Sequence, residues 1–298
     1  MPVHPFSAPS LSSSGALSST VVALRRAGCV FAEEEARLLH EAAASVGELS
    51  LLVERRAAGL PLEHVLGWAD FHGRRFAVDA GVFVPRRRTE FLVAQAAALA
   101  PRRAVVVDLC CGSGALGVAL ASASDAAELH ACDVEPAAVR CARRNVGGLG
   151  HVYEGDLFAP LPAALRGRVD VLLANVPYVP TGDVELLPAE ARVHEPRVAL
   201  DGGGDGLDVM RRVAAEAPRW LAPGGSLLVE ASERQRDTAV EVLRAAGLST
   251  RVLVSEEWYA TVLVGTVQVA AVGAAPLPAA EQPGTPPGAD PAAAPNPD

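Results

Sequence analysis

The sequence predicts an α/β fold in which a doubly wound, mostly parallel sheet follows a small helical module. From about residue 104 to residue 269, short apolar strand patterns alternate with helical patterns, which is typical of repeated strand–helix units. A glycine-rich turn, Gly112-Ser113-Gly114, follows the first of these strands. Upstream, residues 19–67 carry apolar side chains at three-to-four-residue spacing, which indicates amphipathic helices.

Composition and charge limit the possible classes of protein. Of the 298 residues, 50% are hydrophobic and only 4% are aromatic, which suffices for a sizeable core and excludes a disordered chain. No apolar run reaches the roughly 18 residues of a membrane-spanning helix, and the Ser- and Pro-rich start lacks the features of a secretory signal. The net charge of −9 argues against a protein that coats duplex nucleic acid, although it leaves room for a local basic groove.

Cysteine usage points to a reducing compartment. The chain has five cysteines, an odd number at irregular spacing, and no Cys-x-x-Cys pair. These features argue against a disulfide framework and against a structural zinc site, so we expect a cytoplasmic protein without a metal. The five are Cys29, Cys110, Cys111, Cys132 and Cys141.

The chain divides into five predicted segments. Both ends are rich in small residues and Pro, and such segments bury too little apolar surface to become ordered. An alternating pattern around Asp79-Ala80-Gly81 predicts a hairpin between the helical and the α/β parts. The segments are a disordered leader (1–18), a helical substrate-recognition domain (19–67), a hairpin and linker (68–103), the α/β domain (104–269) and a disordered tail (270–298).

Within the α/β domain, the first strand is a continuous apolar run, as a parallel strand buried on both faces should be. Turn residues separate it from the helices and strands that follow. The predicted strands are Ala104–Leu109, Leu129–Cys132, His151–Glu154, Val169–Ala174, Ser226–Glu230, Thr250–Val254 and Ala260–Val269. The predicted helices run from the glycine turn to Ala123 and over Pro136–Asn145, Leu207–Leu221 and Glu233–Ala246.

The turn after the first of these strands is a candidate ligand site. Glycine there lets the backbone approach a ligand, the following helix offers free N–H groups, and ligands of open α/β sheets bind at this edge. Residues 112–117 also match Gly-x-Gly-x-x-Gly, so an NAD-dependent dehydrogenase is one alternative and an ordinary tight turn is another. The candidate cofactor-binding residues here are Asp108, Cys110, Cys111, Gly112, Ser113 and Gly114.

Acidic residues follow the next two strands. Asp133 is placed either to accept hydrogen bonds from both hydroxyls of a ribose, which we favour, or to cap the helix at Pro136. NAD and S-adenosylmethionine both carry such a ribose. Asp156 is placed to accept a hydrogen bond from an adenine amino group while Leu157 packs on the ring, or it is simply an acidic loop residue.

The most informative segment is Asn175-Val176-Pro177-Tyr178, at the end of the fourth strand. A planar amide or exocyclic amine attacks electrophiles poorly, because its nitrogen lone pair is delocalised. The Asn175 side-chain oxygen and the carbonyl of Val176 can accept both N–H protons, which orients and activates the nitrogen. Pro177 stiffens the loop and Tyr178 can stack on the planar group and exclude water. The alternative is an ordinary strand-ending turn.

Together these segments resemble the HemK/PrmC family of protein-(glutamine-N5) methyltransferases over roughly residues 19–269. The resemblance implies a Rossmann-like class I methyltransferase domain whose last strand is antiparallel, a helical N-terminal domain and a hairpin linker. The matching segments are Leu62–Gly67 with Phe71, Phe83–Arg86 with Thr89-Glu90, Asp108–Gly114, Gly155–Phe158, Asn175–Tyr178, Glu195–Gly203, Asp205–Leu207 and Pro223–Gly225.

The resemblance also implies roles for residues. S-adenosylmethionine is the implied methyl donor. Its amino-acid end lies against residues 110–114, its ribose on Asp133 and its adenine between Asp156 and Leu157, while residues 175–178 grip the substrate glutamine. The implied substrate is the Gly-Gly-Gln loop of class I peptide chain release factors in the cytoplasm, and a sister branch methylates a ribosomal protein.

Two departures from the family pattern bear on the substrate. The family reads Asn-Pro-Pro-Tyr where this chain has Val176, which still supplies a backbone carbonyl, and a related branch has such an altered Asn-x-Pro-Tyr motif. The family reads Pro-Arg-Pro-acid-Thr-Glu where this chain has Arg87 and Arg88. These arginines are either a solvated basic turn or an altered rim that contacts the substrate.

We therefore predict methylation of a glutamine side-chain amide in a protein. An adenine-N6 nucleic-acid methyltransferase is one rival, because it uses a similar tetrapeptide on a similar planar nitrogen, although the acidic chain speaks against it. The other rivals are the dehydrogenase and a non-catalytic module that binds the cofactor or docks on ribosomal factors.

Overall fold

The computed structural model describes residues 14–126 and 128–269. At its start, four short helices pack around one small core that includes Leu24, Leu39, Leu49 and Val65. The first helix begins at Ser14, so residues 14–18 of the predicted leader are helical, while residues 1–13 and the predicted tail lie outside the described residues. The helices are α1 (Ser14–Arg26), α2 (Ala32–Ala42), α3 (Val46–Ala57) and α4 (Leu62–Leu66).

The predicted hairpin exists, but its turn was predicted in the wrong place. Strands β1 (Trp68–Phe71) and β2 (Arg74–Ala77) are antiparallel and are joined by His72-Gly73. Both loop residues have positive φ, 50° and 71°, as a two-residue type I′ turn requires. The Asp79–Gly81 turn instead follows β2. The predicted linker also contains a helix, α5 (Glu90–Leu99), which the sequence pattern did not indicate.

A seven-stranded sheet forms the rest of the described chain and confirms the predicted fold class. Its order is β5-β4-β3-β6-β7-β9-β8, and β9 runs antiparallel to both of its neighbours. The strands are β3 (Val105–Leu109), β4 (Glu128–Asp133), β5 (His151–Glu154), β6 (Val169–Ala174), β7 (Leu221–Ala231), β8 (Ser249–Ser255) and β9 (Ala260–Thr266). The helices are α6 (Ala115–Ser124), α7 (Pro136–Val146), α8 (Ala189–His194), α9 (Asp208–Trp220) and α10 (Arg236–Ala245).

Helices cover both faces of the sheet and give it two apolar cores. On one face, α9 contributes Met210 and Trp220 to a core with the strand residue Leu172. On the other, α5 and α6 contribute Leu92 and Leu120. The strands β3, β4, β5 and β6 are mutually parallel, so the loops that follow them meet at one edge, and the strand order reverses there between β3 and β6.

None of the described helices combines the length and the apolar character that a membrane span requires.

Candidate functional site

A cavity of about 480 Å³ opens at this edge of the sheet. Gly114 is the one predicted site residue that is not part of its wall. It precedes α6 with a φ of 78°, and a Cβ there would lie 3.3 Å from side-chain atoms of Ala142 and Val146 on α7. The missing side chain at Gly114 therefore lets the start of α6 pack closely against α7. The predicted residues that do line the cavity are Asp108, Cys110, Cys111, Gly112, Ser113, Asp133, Asp156, Leu157, Asn175, Val176, Pro177 and Tyr178.

The end of β3 brings a buried carboxyl group under the glycine turn. Asp108 is 1% exposed, and its Oδ2 accepts a hydrogen bond of 2.8 Å from the backbone N–H of Gly117. A Cβ on Gly117 would lie 2.9 Å from the same oxygen, so glycine at this position lets α6 lie close against β3. Burial raises the pKa of Asp108 to about 7, against the opposing effect of the Gly117 N–H. The third glycine of the Gly-x-Gly-x-x-Gly match thus has a packing role.

The two cysteines of the turn are protonated thiols. Burial is the main cause that raises the pKa of Cys110 and of Cys111 above the ordinary value, and the nearby carboxylates act in the same direction. Cys110 also adopts a positive φ of 53°, a conformation that favours glycine. The turn therefore offers a small neutral surface, and these two thiols are not thiolate nucleophiles.

Asp133, at the end of β4, links that strand to the glycine turn. Its Oδ2 accepts from the Gly112 N–H at 2.8 Å and its Oδ1 accepts from the Glu135 N–H at 2.9 Å. Each carboxylate oxygen has a further lone pair, so these bonds leave acceptor capacity for a diol. Burial raises the pKa of Asp133, and the backbone donors oppose that effect. The N-cap of α7 is Glu135, and Asp133 accepts from the N–H of that residue and from none of the described residues of the helix itself, so the capping alternative is wrong.

Asp156, after β5, has a charged partner that the sequence pattern did not indicate. Its Oδ2 forms an ion pair with Arg212 of α9, and both side chains line the cavity. The ion pair raises the pKa of Arg212. The next residue, Leu157, is buried and has a positive φ of 49°. Because Arg212 lies 56 positions from Asp156, only the tertiary fold, in which α9 packs on β6 and β7, brings the two charges together.

The loop after β6 contains an acceptor without a donor. The Asn175 Oδ1 atom is buried and has no hydrogen-bond partner among the described residues. Val176 is 2% exposed and packs into the core beneath the sheet edge, and it is also part of the cavity wall. Among the hydrogen bonds described for residues 14–126 and 128–269, none ends on the Val176 carbonyl. Two acceptors on this loop therefore have no donor within the part of the chain that the structure describes.

The backbone of this loop is fixed by the segment 200–206. The Val179 N–H donates to the Leu200 carbonyl at 3.0 Å, and the Val179 carbonyl accepts from the Gly202 N–H at 2.8 Å. Gln235 donates through Nε2 to the Tyr178 carbonyl at 2.8 Å. A Cβ on Gly206 would lie 2.3 Å from that carbonyl, so only glycine permits this close approach.

The ring of Tyr178 ends in a buried polar cluster with Glu230, which is 4% exposed at the end of β7. Arg88 donates from Nε to Glu230 Oε1 at 2.9 Å, and Tyr178 donates to the same oxygen at 3.0 Å. Thr89 donates to Glu230 Oε2 at 2.8 Å. Arg88 also donates through its second nitrogen to the Tyr178 hydroxyl. Burial, followed by the charge of Glu230, raises the pKa of Tyr178.

Another part of the wall comes from segment 187–200, and two of its carboxylates pair with residues elsewhere in the molecule. Glu195 is buried and accepts from Arg86 at 2.6 Å and from the Val84 N–H at 3.1 Å. Glu190, on α8, pairs at 2.7 Å with Arg56 of the helical module. The four helices at the start of the chain are thereby connected to the cavity.

Comparison with known proteins shows which family this chain resembles. A model of the methyltransferase small domain family matches residues 74–215. A release factor glutamine methyltransferase from Geobacter sulfurreducens is 41% identical, with 66% of this chain and 69% of that protein covered. Proteins of the same name from Mycolicibacterium smegmatis (43% identical, 67% and 72% covered) and Deinococcus radiodurans (37% identical, 79% and 91% covered) also match.

The chain belongs to the release factor glutamine methyltransferase family. The predicted resemblance is confirmed, and the chain is a methyltransferase. Membership sets aside the dehydrogenase and the non-catalytic module.

Within this family member, the two arginines that depart from the family pattern have different surroundings. Arg88 lines the cavity and contacts Tyr178, whereas Arg87 does not line it. Arg87 is exposed, and the described residues provide no hydrogen bond or ion pair for its side chain. The predicted altered rim is therefore limited to Arg88.

Proposed function

We propose that this methyltransferase transfers a methyl group from S-adenosylmethionine to the side-chain nitrogen of a glutamine in a protein. The observation that carries the proposal is the buried Asn175 Oδ1 atom on the cavity wall, which has no donor among the described residues. A buried acceptor without a partner is costly, and a carboxamide N–H is the donor that would satisfy it.

The cavity fits the cofactor in size and in chemistry. Its volume of about 480 Å³ is within the range of pockets for small ligands. Residues 110–113 line the cavity and would hold the amino-acid end, and Asp133 has acceptor capacity for the ribose diol. Asp156 and Leu157 also line the cavity and would flank the adenine. When bound, S-adenosylmethionine supplies an electrophilic methyl group on a sulfonium.

Asn175 and Val176 would prepare the nucleophile. The two free acceptors, Asn175 Oδ1 and the Val176 carbonyl, take one amide N–H each, which orients the nitrogen and increases its electron density. Only backbone is required at position 176, so valine can replace the proline of the usual tetrapeptide. Pro177 is buried and keeps this carbonyl in place.

Tyr178 would act through its ring. Stacking on the flat carboxamide excludes water and holds the amide plane. The Tyr178 hydroxyl already donates to Glu230 and accepts from Arg88. Its raised pKa keeps the hydroxyl protonated, so no phenolate is present to accept the proton of the amide. The proton that the amide loses goes to a group other than Tyr178.

The substrate we propose is a class I peptide chain release factor, methylated on the glutamine of its Gly-Gly-Gln loop. The names of the relatives support this substrate. Such a reaction takes place in the cytoplasm, and five free cysteines agree with a reducing compartment. The helical module, connected to the cavity through Arg56 and Glu190, is the part we assign to substrate recognition.

The test is methyl transfer to purified release factor by the wild-type protein and by Asn175→Ala. We expect the variant to lose about 100-fold in turnover, because an interaction made mainly in the transition state is removed. Binding of S-adenosylhomocysteine, measured by calorimetry, should change little. Turnover close to wild type would contradict the amide clamp, and transfer to DNA in place of protein would favour the adenine-N6 alternative.

A further inference from the structure

Glu230 is the centre of an ion cluster that no part of the proposed methyl transfer uses directly. Its carboxylate is buried, yet it accepts from Arg88, Thr89 and Tyr178 at 2.8–3.0 Å. Three donors, one of them a guanidinium, offset much of the cost of burying this carboxylate. The cluster joins the turn before α5 to the end of β7 and to the loop after β6.

The same cluster fixes the far end of the Tyr178 ring. The hydroxyl uses its proton on Glu230 and one lone pair on Arg88. The near end of the residue is held by Gln235, which donates to the Tyr178 carbonyl at 2.8 Å. With both ends held, the plane of the ring is set before any substrate enters.

We propose that Arg88 is a positioning residue, which keeps the Tyr178 ring in the plane that stacks on the substrate carboxamide. The inference rests on the proposed function, because it assigns the ring a flat partner. Arg88 acts through Tyr178 and Glu230, with no contact of its own to the reacting atoms. The pairing with Glu230 also explains why an arginine is accommodated beside a cavity that must admit an uncharged glutamine side chain, because the carboxylate neutralises the guanidinium charge.

The geometry calls for arginine at this position. Nε and a terminal nitrogen of one guanidinium reach two different acceptors, Glu230 Oε1 and the Tyr178 hydroxyl. A lysine ammonium is a single point of charge and cannot match that planar pair of donors. We therefore expect Arg88→Lys to behave much more like Arg88→Met than like the wild-type protein.

The test is a double-mutant cycle with Arg88→Met, Tyr178→Phe and the double variant, and Arg87→Met as the matched control. Arg87→Met removes the same charge one residue away, at an exposed side chain outside the cavity wall. We expect Arg88→Met to lower kcat about tenfold, as for the loss of one charged hydrogen bond, with little change in KM for S-adenosylmethionine. In the Tyr178→Phe background, which has no hydroxyl to hold, the same substitution should cost less than about twofold.

The cycle is also measured without catalysis, as the shift in urea midpoint of the four proteins. We expect the double variant to lose less than the sum of the two single losses, because the three groups share one network. The inference would be overturned if the losses in kcat of Arg88→Met and Tyr178→Phe multiplied in the double variant, or if their shifts in urea midpoint were additive. It would also be overturned if Arg87→Met were as impaired as Arg88→Met. If the wild-type protein fails to methylate glutamine, the proposed function is contradicted instead. The urea midpoints then decide alone whether Arg88 and Tyr178 are energetically coupled.

Discussion

The buried carboxyl group of Asp108 makes a specific prediction about how stability depends on pH. The variant is Asp108→Asn, which keeps the shape of the side chain and an oxygen that can accept from the Gly117 N–H. What it removes is the ability to ionise. The variant is therefore a nearly isosteric test of the cost of burying this charge.

The sign and the size of this pH dependence follow from the pKa of Asp108. Burial raises the pKa of Asp108 from 3.8 to about 7, so between these values the folded protein binds a proton that the unfolded chain releases. Its contribution to stability is therefore favourable at low pH, declines as pH rises through this window, and is constant above about 7. Linkage gives a loss on the order of 2–3 kcal/mol between pH 5 and pH 8 for this one group.

The assay is urea unfolding of the wild-type protein and Asp108→Asn, without cofactor, at several pH values from 5 to 8. We expect the stability of the variant relative to the wild type to increase by that amount across the range. Asp170→Asn serves as a reference for the same chemical change, because Asp170 also accepts a backbone N–H, at 2.8 Å, from the neighbouring strand. Parallel stability curves for Asp108→Asn and the wild type would refute the assignment of the titration to this carboxyl.

Two further predictions concern the cofactor cavity. Arg212→Met should weaken binding of S-adenosylhomocysteine by a few-fold in calorimetry, because Asp156 loses the partner that holds its carboxylate. An unchanged dissociation constant would show that the half-exposed ion pair does not orient the Asp156 carboxylate. Gly117→Ala should destabilise the protein by about 1–3 kcal/mol in urea unfolding, because the new methyl group would lie 2.9 Å from both Asp108 Oδ2 and Leu129 Cδ1. A stability equal to wild type would mean that α6 moves away from β3 without cost.

The parts of the molecule that follow from local pattern were predictable. The strand at residues 169–174 was predicted to the residue, because a buried parallel strand is a short apolar run bounded by turn residues. The strand predicted near residues 151–154 is also present, although none of its residues is buried. All but one of the predicted site residues line the cavity, since each lies at or just after the C-terminal end of a parallel strand and these ends meet at one edge of the sheet. Whether those residues perform the roles expected of them remains a prediction for the experiments above.

What local pattern could not provide is pairing across the chain. Glu230 lies 142 positions after Arg88, and Arg212 lies 56 positions after Asp156. No periodicity links such residues, because only the packing of β7 and α9 brings the partners together. The hairpin turn was misplaced for a local reason. Asp79-Ala80-Gly81 has good turn residues, but His72-Gly73 provides the two positive φ angles that the short antiparallel pair needs.

The structure also divides the tetrapeptide after β6 into positions of different kinds. The Val176 side chain is in the core and Pro177 is buried, so these two positions expose backbone to the cavity, whereas Asn175 and Tyr178 contribute side-chain groups. Substitution at position 176 is then limited by packing, and substitution at 175 or 178 by chemistry. Because Val176 keeps the apolar contact and the free carbonyl, its departure from the family pattern gives no reason to expect a different reaction. Arg88 is the departure that contacts a side chain of the proposed amide site, Tyr178, and it does so while paired with Glu230.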